Sequence, residues 1–165
     1  MKKTMTSINP PFSQLILDGI KKIEWRTKPL PLGWSELYET KQKGGCGKVT
    51  GQFEVVENIK FNLQGDTYKK SWLEKGCVPY EFLVDYAKGK DYLYANIIGR
   101  VERYDKPKEL SEFKRFCNGI CLNNQKNIVC KKVKRKEQEI WINCDGLLPL
   151  TRPPQSWCYV ESLGE

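Results

Sequence analysis

The chain has 165 residues and a mass of 19.2 kDa, which is the size of one domain. Hydrophobic residues make up 39% and aromatic residues 12%, enough for a packed core, so extensive disorder is not expected. There is no run of about 18 apolar residues and the N-terminus is polar, so neither a membrane-spanning helix nor a signal peptide is expected. We therefore predict one soluble, cytoplasmic domain over residues 1–165.

The formal net charge of +8 is concentrated in one segment. Residues 100–136 contain twelve Lys or Arg and four Asp or Glu, whereas the rest of the chain carries sixteen of each sign. Localised positive charge indicates a polyanionic partner such as nucleic acid. A solvated hairpin whose charge serves solubility is the alternative interpretation.

Cysteine is frequent and histidine is absent. No Cys-x-x-Cys pair occurs, and a zinc site from the four cysteines between 117 and 144 would have unusual spacing. We therefore predict no metal and no cofactor, and interpret the cysteines as small buried side chains. Without histidine, acid–base chemistry must use carboxylates, lysine or thiolate. The seven positions are 46, 77, 117, 121, 130, 144 and 158.

In chain order, the first elements are a strand, a helix and a second strand. Thr4 to Ile8 is β-prone, and Asn9-Pro10-Pro11 then supplies an N-cap and an early helical proline. Apolar residues recur at helical spacing from Phe12 to Ile20, and Gly19 marks the end of the helix. The second strand is predicted at residues 22–27.

This second strand has charged and apolar residues at alternate positions. Lys22, Glu24 and Arg26 share one face, and two apolar residues share the other. Such a pattern is typical either of a solvated edge strand or of the wall of a polar pocket. Lys21 lies at the turn that precedes the strand.

The remaining elements are mostly strands. A glycine-rich turn joins the strands predicted at 36–40 and 48–61, and Gly51, just beyond this turn, marks a bulge. A proline turn leads into an aromatic last strand. Six or more strands with few helices predict an α+β fold built as a small mixed β-barrel. Further strands are predicted at 36–40, 48–61 and 92–104, helices at 71–75, 79–88 and 106–113, and a β-hairpin with a basic tip at 128–133 and 139–143.

Three stretches of the chain resemble the ASCH family of the PUA-like superfamily. The first, Ser7-Ile8-Asn9-Pro10 with residues 15–26, matches the family's helix followed by Gly-x-Lys-x-x-Glu-x-Arg. The second is Leu37-Tyr38-Glu39-Thr40 with the strand at 49–55. The third is Tyr104-Asp105-Lys106-Pro107-Lys108 with Pro154-Gln155-Ser156-Trp157. The resemblance covers roughly residues 3–115 and 150–161.

The resemblance implies a PUA-like pseudo-barrel with short flanking helices and a cleft beside the first helix. It also implies binding of RNA or of modified nucleobases. Some relatives are amidohydrolases that deacylate acetylcytidine with a lysine, a threonine and a glutamate. Lys21 matches their lysine, but Glu24 stands where they have the threonine, which argues against a simple transfer of this activity. Residues 116–149 depart from the family pattern as an insertion that contains the basic hairpin.

The first functional hypothesis is a module, with a regulatory role, that binds RNA, single-stranded nucleic acid or a modified nucleoside. Its cations would contact phosphate or base edges, and Glu24 would accept a hydrogen bond from an exocyclic amine. Trp34, Tyr38 and Trp157 are candidate stacking partners, whereas Trp25 faces the core side. The candidate binding residues are Lys21, Lys22, Glu24, Arg26, Tyr38, Thr40, Gln155, Ser156, Trp157 and, on the basic hairpin, Lys131, Lys132, Lys134, Arg135 and Lys136.

The second hypothesis is a small amidohydrolase or nuclease that acts on a modified nucleoside or RNA. Lys21 would be its base or nucleophile, with a pKa lowered by burial, and Glu24 would orient it or carry protons. A plain Lys–Glu ion pair is the competing interpretation of these two residues. The third hypothesis is a protein–protein adaptor whose basic hairpin binds an acidic partner.

Overall fold

The computed structural model describes residues 3–65, 69–116 and 147–162. Within these ranges the chain forms one mixed sheet and three helices. The strands are β1 (Lys3–Ile8), β2 (Ile23–Arg26), β3 (Gly33–Glu39), β4 (Val49–Asn62), β5 (Tyr92–Lys108), β6 (Phe113–Phe116), β7 (Leu147–Pro149) and β8 (Trp157–Ser162). The helices are α1 (Phe12–Leu17), α2 (Lys69–Gly76) and α3 (Tyr80–Ala87).

The sheet has the strand order β2-β5-β4-β3-β1-β8-β6-β7. The β1–β3 pair is parallel, and the other pairs are antiparallel. The predicted α+β class is confirmed. The bulge predicted near Gly51 is also confirmed, because the β4–β5 register shifts between Val49 and Gly51.

Three clusters of buried side chains hold these elements together. One lies between α2, α3 and strands β2, β4 and β5, and includes Trp25, Phe61 and Leu83. A second packs α1 against the central strands around Phe53. The third joins the chain's terminal strands around Phe113. The cleft described below opens where the first two clusters meet, since Phe12 packs against both.

Two predicted helices differ from the structure. Helix α1 ends at Leu17, because Gly19 turns the backbone with a φ of 70°, and Ile20 is left 58% exposed. Residues 106–113 are not a helix. Strand β5 runs on to Lys108, where it pairs with Val49 of β4, and only the 3-10 turn Leu110–Glu112 follows. Pairing with a long neighbouring strand thus outweighs the local helical pattern.

The predicted basic hairpin at 128–133 and 139–143 lies outside the described residues, as do its five basic candidates and the four cysteines between 117 and 144. Across the ranges that the structure describes, no helix is both long enough and apolar enough to cross a membrane.

Candidate functional site

A cleft of about 890 Å³ opens beside α1. Its volume lies within the range of about 300–1,000 Å³ that is usual for small-molecule sites. Charged side chains form its floor, aromatic rings of α1 and α3 form one wall, and the end of β3 forms the opposite wall. The residues that line it include Ser7, Asn9, Phe12, Lys21, Glu24, Trp25, Arg26, Tyr38, Thr40, Lys41, Gln42, Phe82, Tyr86 and Gln155.

Lys21 is the most deeply buried charged group of the cleft, with 2% of its surface exposed. Its Nζ donates a hydrogen bond to the carbonyl oxygen of Gly76 and lies 3.6 Å from Oε2 of Glu24. It also lies 4.8 Å from the centroid of the Phe12 ring. Burial lowers the pKa of Lys21, and the nearby Glu24 carboxylate opposes that shift only in part.

Arg26 and Glu24 extend this cluster along β2. Nε of Arg26 donates to Oε1 of Glu24 at 2.9 Å, and Nη2 donates to the carbonyl oxygen of Ser7 at 2.8 Å. Arg26 therefore joins β2 to β1 across the cleft. Together with Lys21, these side chains place two cations and one carboxylate on the cleft floor.

Gly76, the last residue of α2, explains why Lys21 is held at this point. Carbonyl groups in the last turn of a helix have no partner within the helix, and a lysine can satisfy one of them. Lys21 binds the Gly76 carbonyl in this way, and the Lys22 amide donates to the carbonyl oxygen of Lys75 at 2.7 Å. The floor of the cleft is therefore also the C-terminal cap of α2.

Asn96 holds the backbone beneath the carboxylate. It is fully buried, its Nδ2 donates to the Glu24 carbonyl oxygen at 2.7 Å, and its Oδ1 accepts from the Leu30 amide at 2.8 Å. This side chain fixes β2 against the loop that follows it. Sequence reasoning missed Asn96; a polar residue in an otherwise β-prone run was the available signal.

The aromatic wall consists of Phe12, Phe82 and Tyr86. The Phe12 and Phe82 rings meet edge to face at 6.0 Å, and the Phe82 and Tyr86 rings stack at 6.1 Å with an angle of 9°. Phe82 is 40% exposed, so this wall presents ring surface to solvent at the mouth of the cleft. Burial raises the pKa of Tyr86. The sequence predicted a helix at 79–88, but not that Phe82 and Tyr86 line a cleft.

The opposite wall is held by Glu39, which is 6% exposed. Its carboxylate accepts hydrogen bonds from Ser13 Oγ at 2.7 Å, from Gln14 Nε2 and from the Cys46 amide at 3.0 Å. Burial alone would raise the pKa of Glu39, but these hydrogen bonds outweigh it, so the pKa lies below its ordinary value. Glu39 thus ties α1 to the turn that follows β3.

We expect Glu39→Gln to remove stability that depends on pH. Because the pKa of Glu39 is lowered in the folded state, its contribution is complete above the ordinary value of about 4.3 and is lost as pH falls through the folded value. The variant should be less stable than the wild type by about 1–3 kcal/mol at pH 7, and this difference should become smaller as the pH falls. Urea unfolding at pH 7 and at pH 3 measures this, with the exposed Glu57→Gln as control. An equal difference at both pH values would contradict the assignment.

The structure brings six of the predicted residues to the cleft: Lys21, Glu24, Arg26, Tyr38, Thr40 and Gln155. Thr40 Oγ1 donates to Asn9 Oδ1 at 2.6 Å, so it closes the gap between β3 and the start of α1. Trp25, predicted to face the core, is 4% exposed and packs edge to face with Phe61 at 5.0 Å. Trp25 is also among the residues that line the cleft.

Other candidates lie elsewhere. Lys22 precedes β2 and is exposed, so it does not share the cleft with Glu24 as the alternation predicted. Ser156 is exposed, and Trp157 packs against the second core cluster and against Tyr159 at 5.4 Å. Trp34 lies beneath Arg100 at 5.2 Å rather than in the cleft.

Three cysteines are less buried than predicted. Cys46 is exposed, and neither Cys77 nor Cys158 is fully buried. For these three residues, the prediction of small buried side chains is therefore wrong. Cys46 lies in the glycine-rich turn between β3 and β4, at the surface of the protein.

Comparison with known proteins gives matches among solved structures, and no protein-family model and no curated protein matches. An ASCH structure from Zymomonas mobilis has 21% identity and a TM-score of 0.57, over 66% of this chain and 74% of that one. A tyrosine-to-phenylalanine variant of that protein has 20% identity and a TM-score of 0.57, over 67% and 77% of the two chains. A serine-to-alanine variant of the same protein has 20% identity and a TM-score of 0.56, over 66% of this chain and 74% of that one. The chain therefore has the fold of these ASCH-domain structures, as the sequence resemblance predicted.

Proposed function

We propose that the cleft binds a nucleobase, either of single-stranded RNA or of a free modified nucleoside. The observation that supports this most strongly is that Lys21, Glu24 and Arg26 converge on one concave, partly buried cleft. A solvated edge strand, the alternative left open by the alternating pattern, would leave Glu24 exposed. Instead Glu24 is 7% exposed and hydrogen-bonded to Arg26.

The chemistry of the cleft suits a base. A nucleobase presents donors and acceptors in one plane and a ring surface that stacks on aromatic side chains. The Glu24 carboxylate accepts from an amine or ring N–H, and the cations of the floor donate to a carbonyl or phosphate oxygen. Phe82 supplies an exposed ring at the mouth. The basic hairpin, Lys131 to Lys136, would add affinity for phosphate without reading sequence.

Removal of the Phe82 ring should weaken this binding. We expect wild-type protein to bind short single-stranded RNA, and Phe82→Ala to bind at least about fivefold more weakly, since stacking of one base contributes about 1–3 kcal/mol. Isothermal titration calorimetry at two salt concentrations measures both variants. Val84→Ala is the matched control, because Val84 is on the same helix, is 43% exposed and does not line the cleft.

The salt series in the same titration tests the basic hairpin. Alanine at its five basic positions should flatten the dependence of affinity on salt. Equal affinities for wild type, Phe82→Ala and Val84→Ala would contradict the base-binding proposal. An unchanged salt dependence would contradict only the role of the hairpin.

A second candidate function is hydrolysis of an acylated nucleoside or of RNA. It is favoured by one observation, a buried lysine of lowered pKa that lies in the cleft 3.6 Å from a carboxylate. A lysine of this kind can lose its proton and then act as a base or nucleophile. Since Glu24 replaces the hydroxyl group of related amidohydrolases, Lys21 itself would have to activate water or attack the substrate.

A further inference from the structure

The register of three strands places an aromatic and basic row beside the cleft. Tyr94 of β5 lies opposite Arg26 of β2 and opposite Lys60 of β4, without a register shift at either pair. Opposed residues of antiparallel strands share one face of the sheet. Arg26, Tyr94 and Lys60 are therefore neighbours, with Cα atoms of adjacent strands about 5 Å apart. The next row on this face contains Tyr92 opposite Asn62.

Core packing does not explain why Tyr92 and Tyr94 are aromatic. On the other face of the same strands, Phe61, Leu93 and Ala95 are at most 3% exposed and belong to the core cluster beneath α2 and α3. Tyr92 and Tyr94 are only half-buried, and Lys60 is exposed. The two tyrosines thus lie on the solvent side of the sheet.

The rings are held by one another and by the lysine. The Tyr92 and Tyr94 centroids are 5.9 Å apart with the ring planes at 89°, and Lys60 Nζ lies 3.9 Å from the Tyr92 centroid. A preformed ring surface loses little side-chain freedom when a base stacks on it. Rings beside ammonium and guanidinium groups provide a stacking surface and phosphate contacts together.

We propose that the surface formed by Lys60, Tyr92 and Tyr94 binds a neighbouring nucleotide of the single-stranded RNA whose base occupies the cleft. The inference rests on the proposed function. Arg26 lines the cleft and is the cross-strand neighbour of Tyr94, so the two sites are continuous. An RNA strand that leaves the cleft over Arg26 would meet the Tyr94 ring on β5 and then Lys60 on β4.

The test compares ligands of two lengths on the full chain. Wild-type protein and the double variant Tyr92→Thr/Tyr94→Thr are titrated with the four ribonucleoside monophosphates and with the four RNA homohexamers. Threonine keeps a β-branched residue in the strand, so the sheet should be retained. We expect the double variant to lose at least about fivefold in hexamer affinity, the effect of one stacked base, and to keep monophosphate affinity. Tyr92→Phe/Tyr94→Phe should bind both ligands like the wild type.

The controls separate this surface from the cleft. Tyr159→Thr removes an exposed ring from β8, far from β5 in the sheet order, and should change neither affinity. Phe82→Ala should lower the affinity for both the monophosphates and the hexamers. If the threonine double variant fails to fold by circular dichroism, Lys60→Gln replaces it and should reduce the salt slope of hexamer binding by about one, whereas the exposed Lys75→Gln should not.

Each outcome bears on one of the two proposals. Wild-type hexamer affinity in the threonine double variant, or an unchanged salt slope in Lys60→Gln, would overturn the second surface. If Tyr92→Thr/Tyr94→Thr loses hexamer binding and Phe82→Ala does not, the proposal that the cleft binds a base is overturned. The surface then remains as an RNA contact. If the wild type binds no monophosphate and no hexamer, the second surface fails, and single-stranded RNA fails as the ligand of the cleft.

Discussion

Gly76→Ala should destabilise the protein by about 3 kcal/mol or more, at the upper end of what overpacking usually costs. A β-carbon added at Gly76 would lie 2.0 Å from Nε1 of Trp25. The indole has little room to move, since it packs against Phe61 at 5.0 Å and Trp72 at 6.4 Å. In an ordinary helix, glycine to alanine stabilises by roughly 0.5–1 kcal/mol, so the sign here is opposite to that expected from helix propensity.

Urea unfolding followed by tryptophan fluorescence measures the loss. Gly65→Ala is the matched control, because its added β-carbon would have only an ordinary contact with Asn62 at 3.7 Å and its φ is not positive. We expect that control to differ from the wild type by less than about 1 kcal/mol. The Gly76 carbonyl also holds Lys21, so a displaced α2 should weaken ligand binding in the cleft. A Gly76→Ala protein as stable as the wild type would show that the indole has another position to occupy.

Lys21→Ala should abolish turnover if the cleft hydrolyses acylated nucleosides. A positioned general base contributes about 10²–10⁴-fold to a rate, and Lys21 is the amine whose pKa is lowered by burial. The reactive form of this lysine is the neutral amine, so the rate should rise with pH through the lowered pKa and then level off. Lys21→Arg is the decisive companion, because arginine keeps the positive charge but cannot lose its proton.

The measurement is product release from a panel of acylated nucleosides over a range of pH. Lys21→Met keeps the apolar stem but loses both the amine and the cap of α2, whereas Lys21→Arg keeps a donor for the Gly76 carbonyl. Thermal unfolding of these two variants therefore separates loss of chemistry from loss of the cap. Equal turnover by wild type and Lys21→Arg would remove Lys21 as a base or nucleophile. No product from the wild type over the whole panel would leave Lys21 as the cap of α2 and as part of a binding site.

Much of the local structure was predictable because short-range patterns specify it. The alternation in β2 and the glycine signal at Gly19 both act within a few residues. The motif around Lys21 and Glu24 likewise indicated a site, since both residues lie within one turn and strand. The error at residues 106–113 arose where a distant strand decided the outcome, through pairing of Lys108 with Val49.

The sequence by itself determined the fold class, the positions of most strands and three charged residues of the cleft floor. Only the tertiary structure decided which side chains meet there. Lys21 is buried because α2 ends against it 55 residues further along the chain, and the register between β2 and β5 joins Arg26 to Tyr94. Lys22, in the same local pattern, remains in solvent. Burial and contact depend on elements that are distant in sequence, and local periodicity does not specify which elements those are.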